Sequence, residues 1–221
     1  DSDVMRIHYH RHRSEPEDPF GNNATEHRWE STYGDASTAV AGMSRVAPST
    51  VFDGERMHLG TTPSSSSLTN DYSTSLIAGQ SSFSGPAQLL VSSYDSETRL
   101  MLFSWNISGL SVSDTESSTD ISLTPWLLFV EDSASFPEGS NGVGDYLHVL
   151  HDAVELDGPE GTASAQVPTA WDGDDVSVLL LIDWTSPTTE CCGSNWSLPG
   201  PGLAIVLLCF LGALLPSRRE R

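Results

Sequence analysis

The sequence contains no lysine, and its ten cations are all arginines set against 30 acidic residues, a formal charge of −20 over 221 residues. Such a balance repels phosphate backbones, so nucleic acid is excluded as a partner. Cysteine is nearly absent, with only Cys191, Cys192 and Cys209, and no Cys-X-X-Cys pair occurs. A dithiol centre of the usual spacing is therefore not encoded within the chain. Gly-rich nucleotide fingerprints, phosphate loops and a Ser-His-Asp order are missing as well, and no cofactor is implied. What the chain does have is 38% hydrophobic residues, enough to bury a core, together with abundant clustered serine of the kind found in cell-surface proteins.

The charge is unevenly distributed. Residues 1–202 carry 7 Arg against 29 acids, a charge of −22, whereas residues 203–221 carry 3 against 1, a charge of +2. The sign changes across Leu203-Ala-Ile-Val-Leu-Leu-Cys-Phe-Leu-Gly-Ala-Leu-Leu215, a uniformly apolar run followed by Arg218-Arg-Glu-Arg221. As a helix this run reaches roughly 20 Å against a hydrocarbon core of about 30 Å, so it is short, but it has no amphipathic stripe. The expectation is a transmembrane helix over 203–216 with a cytoplasmic basic tail, 217–221, and the acidic bulk outside the cell membrane. Three Asn-X-Ser/Thr sequons, at Asn23, Asn106 and Asn195, agree with an extracytoplasmic glycoprotein. Leu198-Pro-Gly-Pro-Gly202, the apolar run and the Arg cluster together resemble prokaryotic sorting tails, here with Pro201 and Gly202-Leu203 where those motifs carry Thr or Phe. Because the chain begins at Asp1 without an export signal, a leader or further sequence is expected upstream. The vicinal Cys191-Cys192 pair lies in the linker 186–202, where intermolecular disulfides, lipidation or two unpaired thiols are the options.

Residues 2–10 read as a strand, Asp18-Pro-Phe-Gly-Asn-Asn as a turn, and Ala24 to Tyr33 as a helix ended by Gly34. Ala47 to Gly54 and Glu55 to Leu59 form a hairpin about Asp53-Gly54, and Leu68 to Ala78 has helical spacing. From about Pro86 the period changes. Leu89–Val91, Leu100–Ile107, Ile121–Val130, Tyr146–Leu156, Thr162–Val167 and Val176–Trp184 are β-like, and six strands in about 100 residues predict an antiparallel β-sandwich. The domains expected are thus 1–82, α/β in character, and 85–185, all-β.

Three local groups could carry chemistry. His8, His10 and His12 alternate, sharing one face of a strand, and His8 and His10 are candidate metal ligands. Arg11 and Arg13 argue against a cation there. His148 and His151 fall on opposite faces if the strand is regular. Asp172, Asp174 and Asp175 are either a Ca²⁺-binding loop or an exposed turn.

The order Tyr9-His10, Asp18-Pro-Phe20, Arg28, Tyr33-Gly34 and Ala47-Pro-Ser-Thr-Val-Phe-Asp-Gly54 resembles the second half of the thioredoxin-like domain in surface proteins of the outer-membrane lipoprotein type. Leu127 to Asp132, Gly144 to Leu150 and Trp171 to Val178 fit the β-rich part that follows in those archaeal and bacterial proteins. The resemblance implies a partial thioredoxin-like domain lacking its first strand and helix. It also makes Pro48 the cis-proline facing a redox site, whose Cys-X-X-Cys would lie upstream of Asp1; an ordinary trans proline opening an edge strand is the alternative. The function expected on this basis is thiol-disulfide handling, or a non-catalytic scaffold, in the cell envelope. The alternative is a surface binding module whose sandwich recognises a glycan or a protein partner, with enzymatic activity left open.

Overall fold

A computed structural model describes residues 4–185, except 14, 16, 79–82, 113–121, 140 and 141. In chain order its elements are α1 (Asn23–Ala41), β1 (Ser49–Phe52), β2 (Arg56–Leu59), α2 (Leu68–Ala78), β3 (Phe83–Ser84), β4 (Gln88–Asp95) and β5 (Leu100–Asn106). They continue with β6 (Ser111–Val112), β7 (Ser122–Ser135), β8 (Asp145–Glu155), β9 (Glu160–Gln166) and β10 (Val176–Thr185).

Two antiparallel three-stranded sheets, ordered β4-β5-β9 and β10-β7-β8, pack face to face. Alternation builds the first: Met101, Phe103 and Trp105 of β5 point inward while Leu100, Leu102 and Asn106 remain exposed. They meet Leu127 and Phe129 of β7, with Val176, Val178 and Leu180 of β10 packed around them. β7 does not alternate. Every residue from Pro125 to Glu131 is buried, because the far face of its sheet is covered as well. Trp126, Leu128, Val130 and Leu150 form that second layer beneath Ile7 and Tyr9.

The cover is the N-terminal segment and α1. His8 donates its N–H to the His148 carbonyl at 2.8 Å and accepts from Leu150 N–H at 3.0 Å, which lays the segment parallel to β8 as a one-bridge extension of the sheet. Asn22 caps α1 by accepting from the N–H groups of Ala24 and Thr25, with Thr25 returning a bond to the cap. Its side-chain amide also donates to the His151 carbonyl at 2.6 Å, tying the helix start to β8. Arg28, with no exposed surface, lies 4.6 Å from the centre of the Trp126 ring and pairs with Asp183 of β10 at 2.9 Å. Burial pushes the Asp183 carboxyl above its ordinary range, and the Arg28 charge offsets only part of that. The Tyr9 and Tyr33 hydroxyls beside this pair are likewise raised by burial.

The expected fold class, a partial thioredoxin-like α/β portion, then a sandwich, then a transmembrane helix, is corrected here. The described residues hold two helices, their sheets are antiparallel, and the one parallel contact joins the N-terminal segment to the sandwich itself. The physical reason is that Ile7 and Tyr9, the latter met edge-on by Trp29 of α1, find their apolar cover on the outer face of β10-β7-β8, not in a parallel sheet of their own. Among the described residues no helix is long and apolar enough to cross a membrane, and 203–216 lies outside them. A second correction concerns α1, which passes through Gly34 and ends at Gly42, in the left-handed conformation with φ 73°. Gly34 is a packing position: a Cβ there would sit 3.5 Å from the Ser44 Cβ. The hairpin, α2 and the six β-like runs form elements where the periodicity places them.

Candidate functional site

The most organised polar group in the chain is centred on a carboxylate, Glu131, that has no exposed surface. It stands near the end of the buried run of β7, where the register with β8 is interrupted between Phe129 and Val130. Asp152 pairs with Phe129 and Leu150 with Val130, so His151 is the extra residue of a β-bulge. The bulge sends the His151 ring toward Glu131, and Nε2 hydrogen-bonds Oε2. His148 takes φ 55° in the same irregular strand. The simple alternation expected for these two histidines does not hold, because a bulge changes which face a side chain occupies.

Glu131 also accepts from the backbone N–H of Trp171 at 2.9 Å and of Asp172 at 3.1 Å. A buried carboxylate is costly unless it is hydrogen-bonded, and three partners bond this one. The loop before β10 is thereby held down on β7. Asp172 and Asp175 finish the attachment, accepting from Ser135 N–H at 3.0 Å and Ser133 N–H at 3.1 Å. Two members of the Asp172-Asp174-Asp175 set are therefore engaged with backbone, and among the described residues no group of three or more metal-ligating side chains occurs.

The consequence is the placement of Trp171. Its indole N–H donates to the Ser135 carbonyl at 2.8 Å. Its ring meets Phe20 edge-on at 5.4 Å and Phe136 at 5.8 Å. Phe20 is the hub of the cluster, only 2% exposed and ringed also by His10 at 5.0 Å and Tyr146 at 5.3 Å. Trp171 itself is 46% exposed, with Val143 and Leu147 also exposed on the loop and strand that follow Phe136. The bond from Phe136 N–H to the Gly144 carbonyl, 2.8 Å, closes that loop. An aromatic ring fixed on one side and open on the other is a stacking surface that loses little freedom when a flat ligand covers it.

His10 takes part in this cluster as a positioning group. Its Nδ1 bonds Asp18 Oδ2 at 2.8 Å, and Asp18 also caps Phe20 N–H at 3.0 Å. Burial raises the Asp18 carboxyl, but the His10 and Phe20 bonds outweigh it and hold the carboxyl below its ordinary value. His8 belongs to the backbone bridge; burial first, then Arg6, His10 and His148, lower its imidazole to about 4. The Ala47–Pro48 peptide is cis, and the Pro48 carbonyl accepts from Gly60 N–H at 2.8 Å beside the β1-β2 hairpin. Asn23 is exposed in the first turn of α1 and Asn106 at the end of β5, whereas Asn195, Cys191 and Cys192 lie outside the described residues. Phe20 and Glu131 fall within motifs the sequence offers, Asp18-Pro-Phe20 and Leu127 to Asp132, but neither stands out there as a candidate site residue; the clue for Glu131 is an acid ending the apolar run Trp126 to Val130. Comparison with known protein families, with curated proteins and with solved structures returned no match.

Proposed function

We propose that the chain is an extracytoplasmic binding module that recognises a neutral saccharide through the Trp171 platform. The observation that carries this reading is a half-exposed indole held at its backbone by Glu131, at its ring nitrogen by Ser135 and at its edges by Phe20 and Phe136. Sugar rings present flat C–H faces that pack on such a ring, and pre-ordering removes most of the entropic cost of binding. The charge of −22 over residues 1–202 works against anionic ligands, which favours a neutral one. Exposed Asp174 at the rim offers acceptors for hydroxyl groups. The same charge partition supports placement of the acidic bulk outside the membrane.

The test is titration of the full chain with a panel of neutral oligosaccharides, followed by tryptophan fluorescence and calorimetry. Trp171→Ala is expected to weaken binding at least tenfold while leaving the unfolding midpoint within a few degrees. Failure of every neutral oligosaccharide to bind, or equal binding by Trp171→Ala, overturns the reading.

A further inference from the structure

The outer face of β4-β5-β9, the sheet opposite the one that carries Glu131, holds a second feature. A cleft of about 480 Å³ crosses the sheet, lined by Gln88, Leu90, Ser104, Asn106, Glu160 and Thr162 among others. Register aligns Gln88, Asn106 and Glu160 in one row across the three strands, and Leu90, Ser104 and Thr162 in the next. Leu90 is 64% exposed and Leu102, in the row beyond, 41%. Among the described residues this face holds an exposed apolar strip beside a line of amide, carboxylate and hydroxyl groups.

Asn106-Ile-Ser108 opens onto that cleft. Ile107 is fully buried and anchors the tripeptide, leaving both Asn106 and Ser108 exposed. The Ser108 hydroxyl donates to Asn106 Oδ1 at 2.7 Å, and the Ser108 N–H donates to the same oxygen at 3.0 Å. The amide nitrogen donates to Glu160 Oε2 on β9 at 3.0 Å in an exposed bond. The other described sequon is built differently. Asn23 is exposed, but the Thr25 hydroxyl has no exposed surface and donates to the Asn22 carbonyl within the helix cap.

We propose that Asn106 is N-glycosylated on the folded chain, that Asn23 is not, and that the attached glycan is the occupant of the cleft and of the Leu90 and Leu102 strip. This rests on the extracytoplasmic placement proposed above and not on saccharide recognition by Trp171. The donor class is an oligosaccharide esterified at its anomeric carbon to a lipid phosphate or pyrophosphate. Asn106 Nδ2 forms a bond to that carbon, the carbon–oxygen bond to phosphate breaks, and one amide proton leaves with the released lipid phosphate. No oxidation or reduction accompanies the transfer.

The full chain, expressed in an extracytoplasmic N-glycosylating host, is tested by glycopeptide mass spectrometry alongside N106Q, S108A and N23Q. Glycan is expected on the Asn106 peptide, absent in N106Q and S108A, and unchanged in N23Q. Folded N106Q, checked by circular dichroism, is expected to bind an apolar-surface dye at least twofold more strongly than the glycosylated chain, and N106Q with L90S and L102S to lose that increase. A bare Asn106 with glycan at Asn23 or Asn195 overturns the assignment while preserving extracytoplasmic placement. Bare asparagines at all three sequons overturn the assignment and remove one support for that placement. Equal dye binding by N106Q and the glycosylated chain overturns the glycan's role as cover. Oligosaccharide binding at Trp171 is scored separately and is unaffected by N106Q.

Discussion

Glu131 carries more structural consequence than any other side chain near the platform, because three donors depend on it. Replacing it with Ala leaves the Trp171 and Asp172 N–H groups and the His151 ring without their acceptor. The expected cost is about 3 kcal/mol, read from urea unfolding, together with loss of the near-ultraviolet signal of an ordered indole. Glu131→Gln keeps an acceptor oxygen and is expected to cost less. His8 supplies a pH dependence. Its imidazole is held at about 4 in the folded chain against 6.5 unfolded, so the unfolded chain binds the extra proton between those values. Stability is then fully present above about pH 6.5 and falls as pH drops toward 4. Protonation of Glu26 and Asp18 removes more as pH falls below their ordinary values of 4.5 and 3.8. Burial raises the Glu26 carboxyl, but bonds from His12 N–H and the Arg45 charge hold it below its ordinary value. His8→Ala is expected to flatten the decline between pH 6.5 and 4 in denaturation midpoints, leaving the steeper loss at lower pH. A residue's type was legible in the sequence, but its partner was not: nothing local to His151 announces a carboxylate twenty positions earlier.

Among the elements, α1 depends on its first turn. Asn22 both caps the helix and reaches the His151 carbonyl, so Asn22→Ala is expected to cost about 1 to 2 kcal/mol in chemical denaturation. Gly21 precedes it where a Cβ would collide with the backbone carbonyl of Arg11. Gly21→Ala is accordingly expected to displace the 10–13 segment, seen as faster amide exchange at His12 and Arg13, whose N–H groups bond Glu26. Most strands and both helices were readable because their period or their turn residues are strong, as in Asp53-Gly54; the two-residue β3 and β6 are too short to show a period, and the strand expected over 2–10 is, among the described residues, a single bridge at His8. The end of α1 was not, since a glycine inside a helix and a glycine ending one look alike until the neighbour, Ser44, is in place. β7 reads as a continuous apolar run for the same reason that it is central, being covered on both faces.

For the molecule as a whole, two ion pairs built on buried arginines join α1 to its surroundings: Arg28 with the partly exposed Asp183, and Arg45 with Glu26 at 3.2 Å. Removing one partner of such a pair strands the other, and Arg28→Ala is expected to destabilise by about 3 kcal/mol, with α1 loosening from the sandwich in hydrogen exchange. Salt acts in the opposite direction. The net charge of −20 opposes compaction, while the buried pairs are poorly screened, so the thermal midpoint is expected to rise as sodium chloride increases from low millimolar to molar levels. A falling midpoint would mean that exposed pairs dominate.

The sequence by itself determined the acidic surface, the absence of lysine, the positions of most strands and the turns between them, since composition and short-range periodicity are local properties. Only the tertiary structure decided that Ile7, Tyr9 and α1 cover the sandwich, that Glu131 gathers His151 and the Trp171 loop, and that Asn106 faces an open cleft while Thr25 is sealed in a cap. Those depend on which apolar faces find each other across long separations, and on a single bulged residue in β8. No local pattern encodes either.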